Sequence, residues 1–202
     1  MEIEDLTLQL RRAYRLVHGY QHATINLSRE IAARLGLEFF CWSPVFNDAP
    51  GRPRTDILRK WTWDLLPAYS IYLVFTSPGP VKSGSYMLIL WAEADTGFSK
   101  LCEETSRGEP DFMKLDAPEN CETNFRFWHA AVEDGSKIRD SQAFWNTLWD
   151  EEWPETDLFT LEVEGTNLKG QMTTYPLSAL SSTEEVNKRL DELKAAIAPR
   201  GA

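Results

Sequence analysis

A single apolar stripe through residues 3–35 limits the architecture of this chain more than any other feature. Its members recur at steps of three and four residues, interrupted only by Thr24, which is the spacing of one face of an α-helix. They are Ile3, Leu6, Leu10, Ala13, Val17, Tyr20, Leu27, Ile31 and Leu35. The stripe predicts one long helix, or two helices with a break near residues 18–22, ended by Gly36. It predicts packing on a sheet, with a homodimer through helix 3–35 as the alternative.

Beyond Gly36 the pattern changes to that of strands. Short runs rich in aromatic and β-branched residues, separated by turn-forming residues, predict β-structure and hairpins. The predicted strands cover residues 37–46, 68–77, 84–95 and 124–132, and a hairpin covers residues 157–175. Residues 56–66 fit a short helix, although their "WTW" alternation also fits a strand.

Two further helices are predicted in the C-terminal part. In "QAFWNTLWDEEWPE" (residues 142–155), Phe144, Trp145, Leu148 and Trp149 share one apolar sector of a helical wheel, which favours a core position. Trp153 precedes a proline, which disfavours helical geometry, so it falls in the exit loop and could be either core or binding surface. Residues 181–197 begin with a capping-box pattern and continue with a helical apolar stripe.

These elements predict one α+β domain over residues 1–202. A central, mainly antiparallel sheet of about five to six strands would be packed by the long N-terminal helix, the Trp-rich helix and the C-terminal helix. Regular alternation of strand and helix, the mark of a doubly wound fold, is missing. Residues 96–123 are polar and broken by glycine and proline, and are interpreted as a long excursion of the kind that often carries function.

The charge balance favours some partners over others. Acidic side chains number 31 against 21 basic ones, for a formal net charge of −10. Such a field repels phosphates, so no nucleic acid is predicted as a partner, and a basic surface of another protein is. Apolar runs are far shorter than the ~20 residues that span a bilayer, so no membrane association is predicted. Three widely spaced cysteines and an acidic N-terminus favour a cytoplasmic protein.

Catalytic motifs are not evident, and no cofactor is predicted. His18 and His22 have a metal-compatible spacing but should face solvent, and His129 is interpreted as a core or rim residue. Carboxylates at the end of strand 84–95 support an alternative, a metal-dependent or acid–base enzyme. Its residues would be Glu93, Asp95 and Glu103.

The sequence therefore predicts a non-catalytic acidic protein-binding module, such as an inhibitor, an immunity-type protein or an adaptor. The predicted contact residues lie in the polar excursion and in the acidic segment after the Trp-rich helix. They are Glu103, Glu104, Glu109, Asp111, Asp150, Glu151, Glu152 and Trp153.

Overall fold

The computed structural model describes residues 3–46, 69–105, 110–134, 138, 140–149, 159–163 and 166–197. Within these residues the chain forms an α+β fold of four α-helices and six β-strands. The helices are α1 (Ile3–Arg34), α2 (Thr96–Glu104), α3 (Ser141–Trp149) and α4 (Thr183–Ile197). The strands are β1 (Glu38–Pro44), β2 (Ser70–Thr76), β3 (Tyr86–Glu93), β4 (Asn124–Asp134), β5 (Phe159–Val163) and β6 (Thr166–Pro176). The segment 56–66, whose conformation the sequence leaves open, lies outside the described residues.

Helix α1 is continuous over its 32 residues, so the alternative of a break near residues 18–22 is wrong. At about 1.5 Å per residue it is about 48 Å long. Gly36 ends it with φ +68°, and the amide of Leu37 donates to the carbonyl of Ala32 at 2.9 Å. This is the left-handed helix ending predicted for Gly36.

The strands form one antiparallel sheet in the order β1-β2-β3-β4-β6-β5. The first four follow one another as a meander, and the last hairpin is placed so that β6 pairs with β4 and β5 becomes an edge. Strand β1 forms the other edge and carries an irregularity between Phe39 and Cys41. Cys41, which follows this irregularity, is half-buried.

Helices cover both faces of the sheet. Alternation along β4 sends Phe125 and Phe127 to one face and Ala130 and Val132 to the other, as the sequence predicts. The first face packs against α1 and α4, whose buried residues include Ile31, Val186, Leu190 and Leu193. The second face packs against α3 through Phe144, Trp145 and Leu148. Double coverage explains why β2 and β3 are almost continuously apolar.

Only the C-terminal half of α1 belongs to this core. Ile31 is fully buried, whereas Ile3, Leu6 and Leu10 on the same apolar stripe are 80%, 51% and 55% exposed. The prediction that the stripe packs on a sheet is therefore right for one half of the helix and wrong for the other.

The two C-terminal helices agree with the sequence-based predictions. Trp145 of α3 is buried, with its ring centroid 5.4 Å from that of Tyr72, while the side chain of Trp149 and all of Trp153 lie outside the description. Helix α4 is capped by Ser182, whose hydroxyl accepts from the amide of Glu185 at 3.2 Å. None of the helices in the described ranges has the length and apolar character needed to cross a membrane.

Candidate partner-binding surface

The segment 96–123, interpreted from the sequence as an excursion, opens with helix α2. Asp95 starts this helix, because its side chain accepts a hydrogen bond from the amide of Gly97 at 2.8 Å. Leu101 is buried toward the sheet, whereas Glu103 and Glu104 are exposed in the last turn. Two of the carboxylates predicted to contact a partner therefore lie on the surface.

Hydrogen bonds join the C-terminal end of this segment to the residues that follow β3. The hydroxyl of Thr123 donates to the carbonyl of Ala94 at 2.8 Å. The amide of Glu122 donates to the hydroxyl of Thr96 at 2.9 Å. The two ends of the segment are thus held together at the end of the sheet.

Two large apolar side chains are exposed in the second part of this segment. Phe112 is 67% and Met113 is 76% exposed, in a 3₁₀ turn that Asp111 caps by accepting from the amide of Met113 at 3.1 Å. The next apolar residue, Leu115, packs inward against Leu101. Asp111 was predicted from the sequence as a contact residue, whereas Phe112 and Met113 were not, although an apolar pair inside a polar segment is a recognisable signal. Phe and Met are enriched at protein interfaces.

The segment carries a net negative charge. Residues 96–123 contain seven acidic and three basic side chains. One of the bases, Lys100, pairs with Asp116 at 2.9 Å, and this carboxylate raises the pKa of the lysine. Glu103 and Glu104 are exposed, and among the described residues they form no ion pair.

Glu93, the first residue of the alternative enzyme site, has a structural partner instead. It is fully buried and pairs with the guanidinium of Arg126 at 3.0 Å. The same guanidinium lies 4.4 Å from the ring centroid of Trp91, whose indole N–H donates to the hydroxyl of Ser70 at 2.7 Å. A buried carboxylate requires such a partner, since an unpaired one costs several kcal/mol.

The three carboxylates of that alternative do not converge. Glu93 pairs with Arg126, Asp95 caps α2, and Glu103 is exposed at the other end of the same helix. Within the described parts of the chain, no group of three or more His, Cys, Asp or Glu side chains could hold a metal ion.

The histidines occupy the positions that the sequence predicts. His18 and His22 are exposed on α1, and the ring of His22 contacts the side-chain amide of Asn26 at 2.9 Å. His129 is 2% exposed, and burial lowers its pKa to about 4, so the ring is neutral at pH 7. It lies in β4 on the face that packs against α1 and α4.

The remaining predicted contact residues, Glu109, Asp150, Glu151, Glu152 and Trp153, lie outside the described residues. The surface is therefore defined by Glu103, Glu104, Asp111, Phe112 and Met113, and is called the 103–113 surface below.

Comparison with known proteins places the chain in a family. The PM0109 family model matches residues 1–200. The chain belongs to the PM0109 family. No curated protein and no solved structure matches it.

Proposed function

We propose that this protein is a non-catalytic protein-binding module that engages a basic surface of another protein. The observation that carries the proposal is the exposure of Phe112 and Met113 next to Asp111, in a segment that also carries the exposed Glu103 and Glu104. Inhibitors, immunity-type proteins and adaptors work through surfaces of this kind.

The two components of the surface have separate roles in binding. Apolar side chains such as Phe112 lose contact with water when a partner covers them, which supplies affinity. Carboxylates at the margin, here Glu103 and Glu104, attract a basic partner and speed its association. With a net charge of −10, the whole chain favours a basic protein over a nucleic acid.

The alternative, an enzyme with a carboxylate site, receives less support. Glu93, a residue of that site, is buried and forms an ion pair with Arg126. A binding module requires no such group, and its surface residues are already exposed.

The test is capture of proteins from the native cell by the immobilised chain. We expect basic proteins to bind, to be lost when Phe112 and Met113 are both changed to alanine, and to dissociate as salt is raised. Leu16→Ala, which shortens an equally exposed apolar residue on α1, is the matched control and should retain them. Capture that is unaffected by the double substitution, or limited to acidic proteins, would contradict the proposal.

We also propose that the exposed half of α1 binds a second copy of the chain. The stripe that packs on the sheet at Ile31 continues uncovered to Ile3. In an antiparallel pair that aligns Leu6 with Leu10 of the second copy, Asp5 lies opposite Arg11, whereas a parallel pair would place like charges side by side.

Sedimentation velocity over a range of protein concentrations tests this self-association. A dimer that Leu6→Glu and Leu10→Glu together abolish supports it, because each glutamate would place a charge in the helix contact. A monomer at all concentrations refutes it. None of the three cysteines, Cys41, Cys102 and Cys121, forms a disulfide, which fits a reducing compartment, so we further propose a cytoplasmic location.

A further inference from the structure

A concave site lies between α1 and the edge of the sheet formed by β1. Its residues are distant in sequence from the 103–113 surface. Its cavity is about 450 Å³, within the range of about 300–1,000 Å³ typical of small-molecule sites. One helix and two strands contribute its walls. The lining residues are Gln21, Ile25, Arg29, Phe39, Trp42, Ile71, Leu73 and Phe75.

The walls are almost entirely apolar. Ile71, Leu73 and Phe75 form the floor as part of the buried core, while Phe39 and Trp42 are exposed on β1. The ring of Phe39 meets that of Phe75 edge-on, with centroids 5.9 Å apart. Large apolar side chains held open to solvent in this way are stabilised by an apolar ligand that covers them.

Arg29 is the one charged side chain among the described residues of the lining. Within the described residues it forms no ion pair, and its hydrogen bond to the side-chain oxygen of Asn26 is long, at 3.4 Å. By contrast, Arg34, Arg126 and Arg189 each pair with a carboxylate. Among the described residues, the guanidinium of Arg29 therefore has no carboxylate partner, although it lines an apolar cavity.

We propose that this cavity binds an amphipathic carboxylate, a small molecule with an apolar body and one anionic head. The apolar body would lie on Phe39, Trp42 and Leu73, and the carboxylate would accept hydrogen bonds from Arg29, which presents two parallel N–H donors. Gln21 supplies a further amide donor on the same helix. The site is distinct from the protein-binding surface and does not depend on it.

An extended peptide added to the edge of β1 fits the site less well. The irregularity between Phe39 and Cys41 and the proline at position 44 interrupt the backbone ladder that such a peptide needs. Moreover, Ile71, Leu73 and Phe75 belong to β2, one strand inward from the edge, so the cavity extends over the face of the sheet.

The experiment is a calorimetric titration of the full chain with dodecanoate below its micelle concentration. Dodecyltrimethylammonium, which has the same chain length and a cationic head, is the matched ligand. The overall charge of −10 favours the cation, so preference for the anion would report the local site rather than the overall field.

We expect one dodecanoate per chain, weakened about tenfold by Arg29→Gln, and little or no binding of the cationic ligand. Arg15→Gln, a change to an exposed arginine of α1 outside the lining, should leave the affinity unchanged. Trp42→Ala should weaken the affinity for dodecanoate, because it removes one apolar wall of the cavity.

Three results would overturn the proposal. They are no binding of dodecanoate, equal binding of both head groups, and anion binding that Arg29→Gln does not weaken. A change in sedimentation without ligand that depends on Trp42 would assign the cavity to a second copy of the chain, and would also overturn it.

Discussion

The two halves of α1 have the same sequence pattern and opposite surroundings. Around Ile31 the apolar stripe is buried against the sheet, and around Leu10 it is exposed. Both halves are helical because the spacing of apolar residues and the absence of internal proline are local properties. Whether a stripe is covered depends instead on where the sheet ends. Helix formation and core formation are therefore separable along this one element.

The largest expected effect comes from a matched pair of substitutions that shorten one apolar side chain in each half of α1. Ile31→Ala should lower the free energy of unfolding by about 4 kcal/mol, because it leaves a cavity in a fully buried site. Leu10→Ala should change it by less than about 0.5 kcal/mol. Urea unfolding at a concentration where the chain is monomeric measures both. Equal effects would show that the N-terminal half is covered by the rest of the chain.

Lowering the pH should destabilise the core that the C-terminal half of α1 helps to cover, because His129 lies on the same face of the sheet. The pKa of this histidine is about 4 in the folded state and about 6.5 when unfolded. Above pH 6.5 both states are neutral. As the pH falls from 6.5 toward 4, the unfolded state takes up a proton that the folded state does not. Stability should therefore fall by about 3 kcal/mol over this window.

The readout for His129 is the difference between variants in unfolding free energy from pH 7 to pH 4. His129→Met should flatten the pH dependence, since methionine fills a similar volume without a titrating ring. His22→Gln, at an exposed position of α1, should keep the full slope. An unchanged slope in His129→Met would assign the acid sensitivity to carboxylates.

The smallest effects come from two glycines of the same helical region, with opposite signs. Gly36→Ala should destabilise by about 1 kcal/mol, because a side chain at φ +68° is strained even though no atom lies within 4 Å of the new Cβ. Gly19→Ala, inside the helix and equally unobstructed, should stabilise by about 1 kcal/mol. Thermal unfolding of the two variants checks the signs, and a shift in the same direction for both would contradict this account.

The sequence predicts features of this molecule that depend on local spacing. The ends of α1 and α4, the alternation along β4 and the core position of Trp145 follow from the period of apolar residues and from capping residues. Helix α2 was missed because nine residues, with glycine in the first turn, carry too little periodicity. For the same reason Asp95 was interpreted as a site residue, although its oxygen caps that helix.

Less of the candidate sites than of the fold could be predicted from the sequence. The sequence located the carboxylates Glu103 and Glu104, since acidic character is visible residue by residue. The cavity beside Arg29 could not be predicted, because its walls come from α1, β1 and β2 and become neighbours only when the sheet has formed. Likewise, no local sequence pattern predicts the ion pair between Arg126 and Glu93, since the two residues are 33 positions apart in the sequence.

The order of the strands has a consequence during synthesis on the ribosome. Strand β4 pairs with β3, which precedes it, but its other side can pair only after β6 (residues 166–176) has been synthesised. Until then a nascent chain presents an unpaired edge of up to eleven residues, which includes Phe125, Phe127 and Val132. A chain cut before residue 166 should accordingly aggregate, whereas a chain that continues through β6 closes this edge with the β5–β6 hairpin.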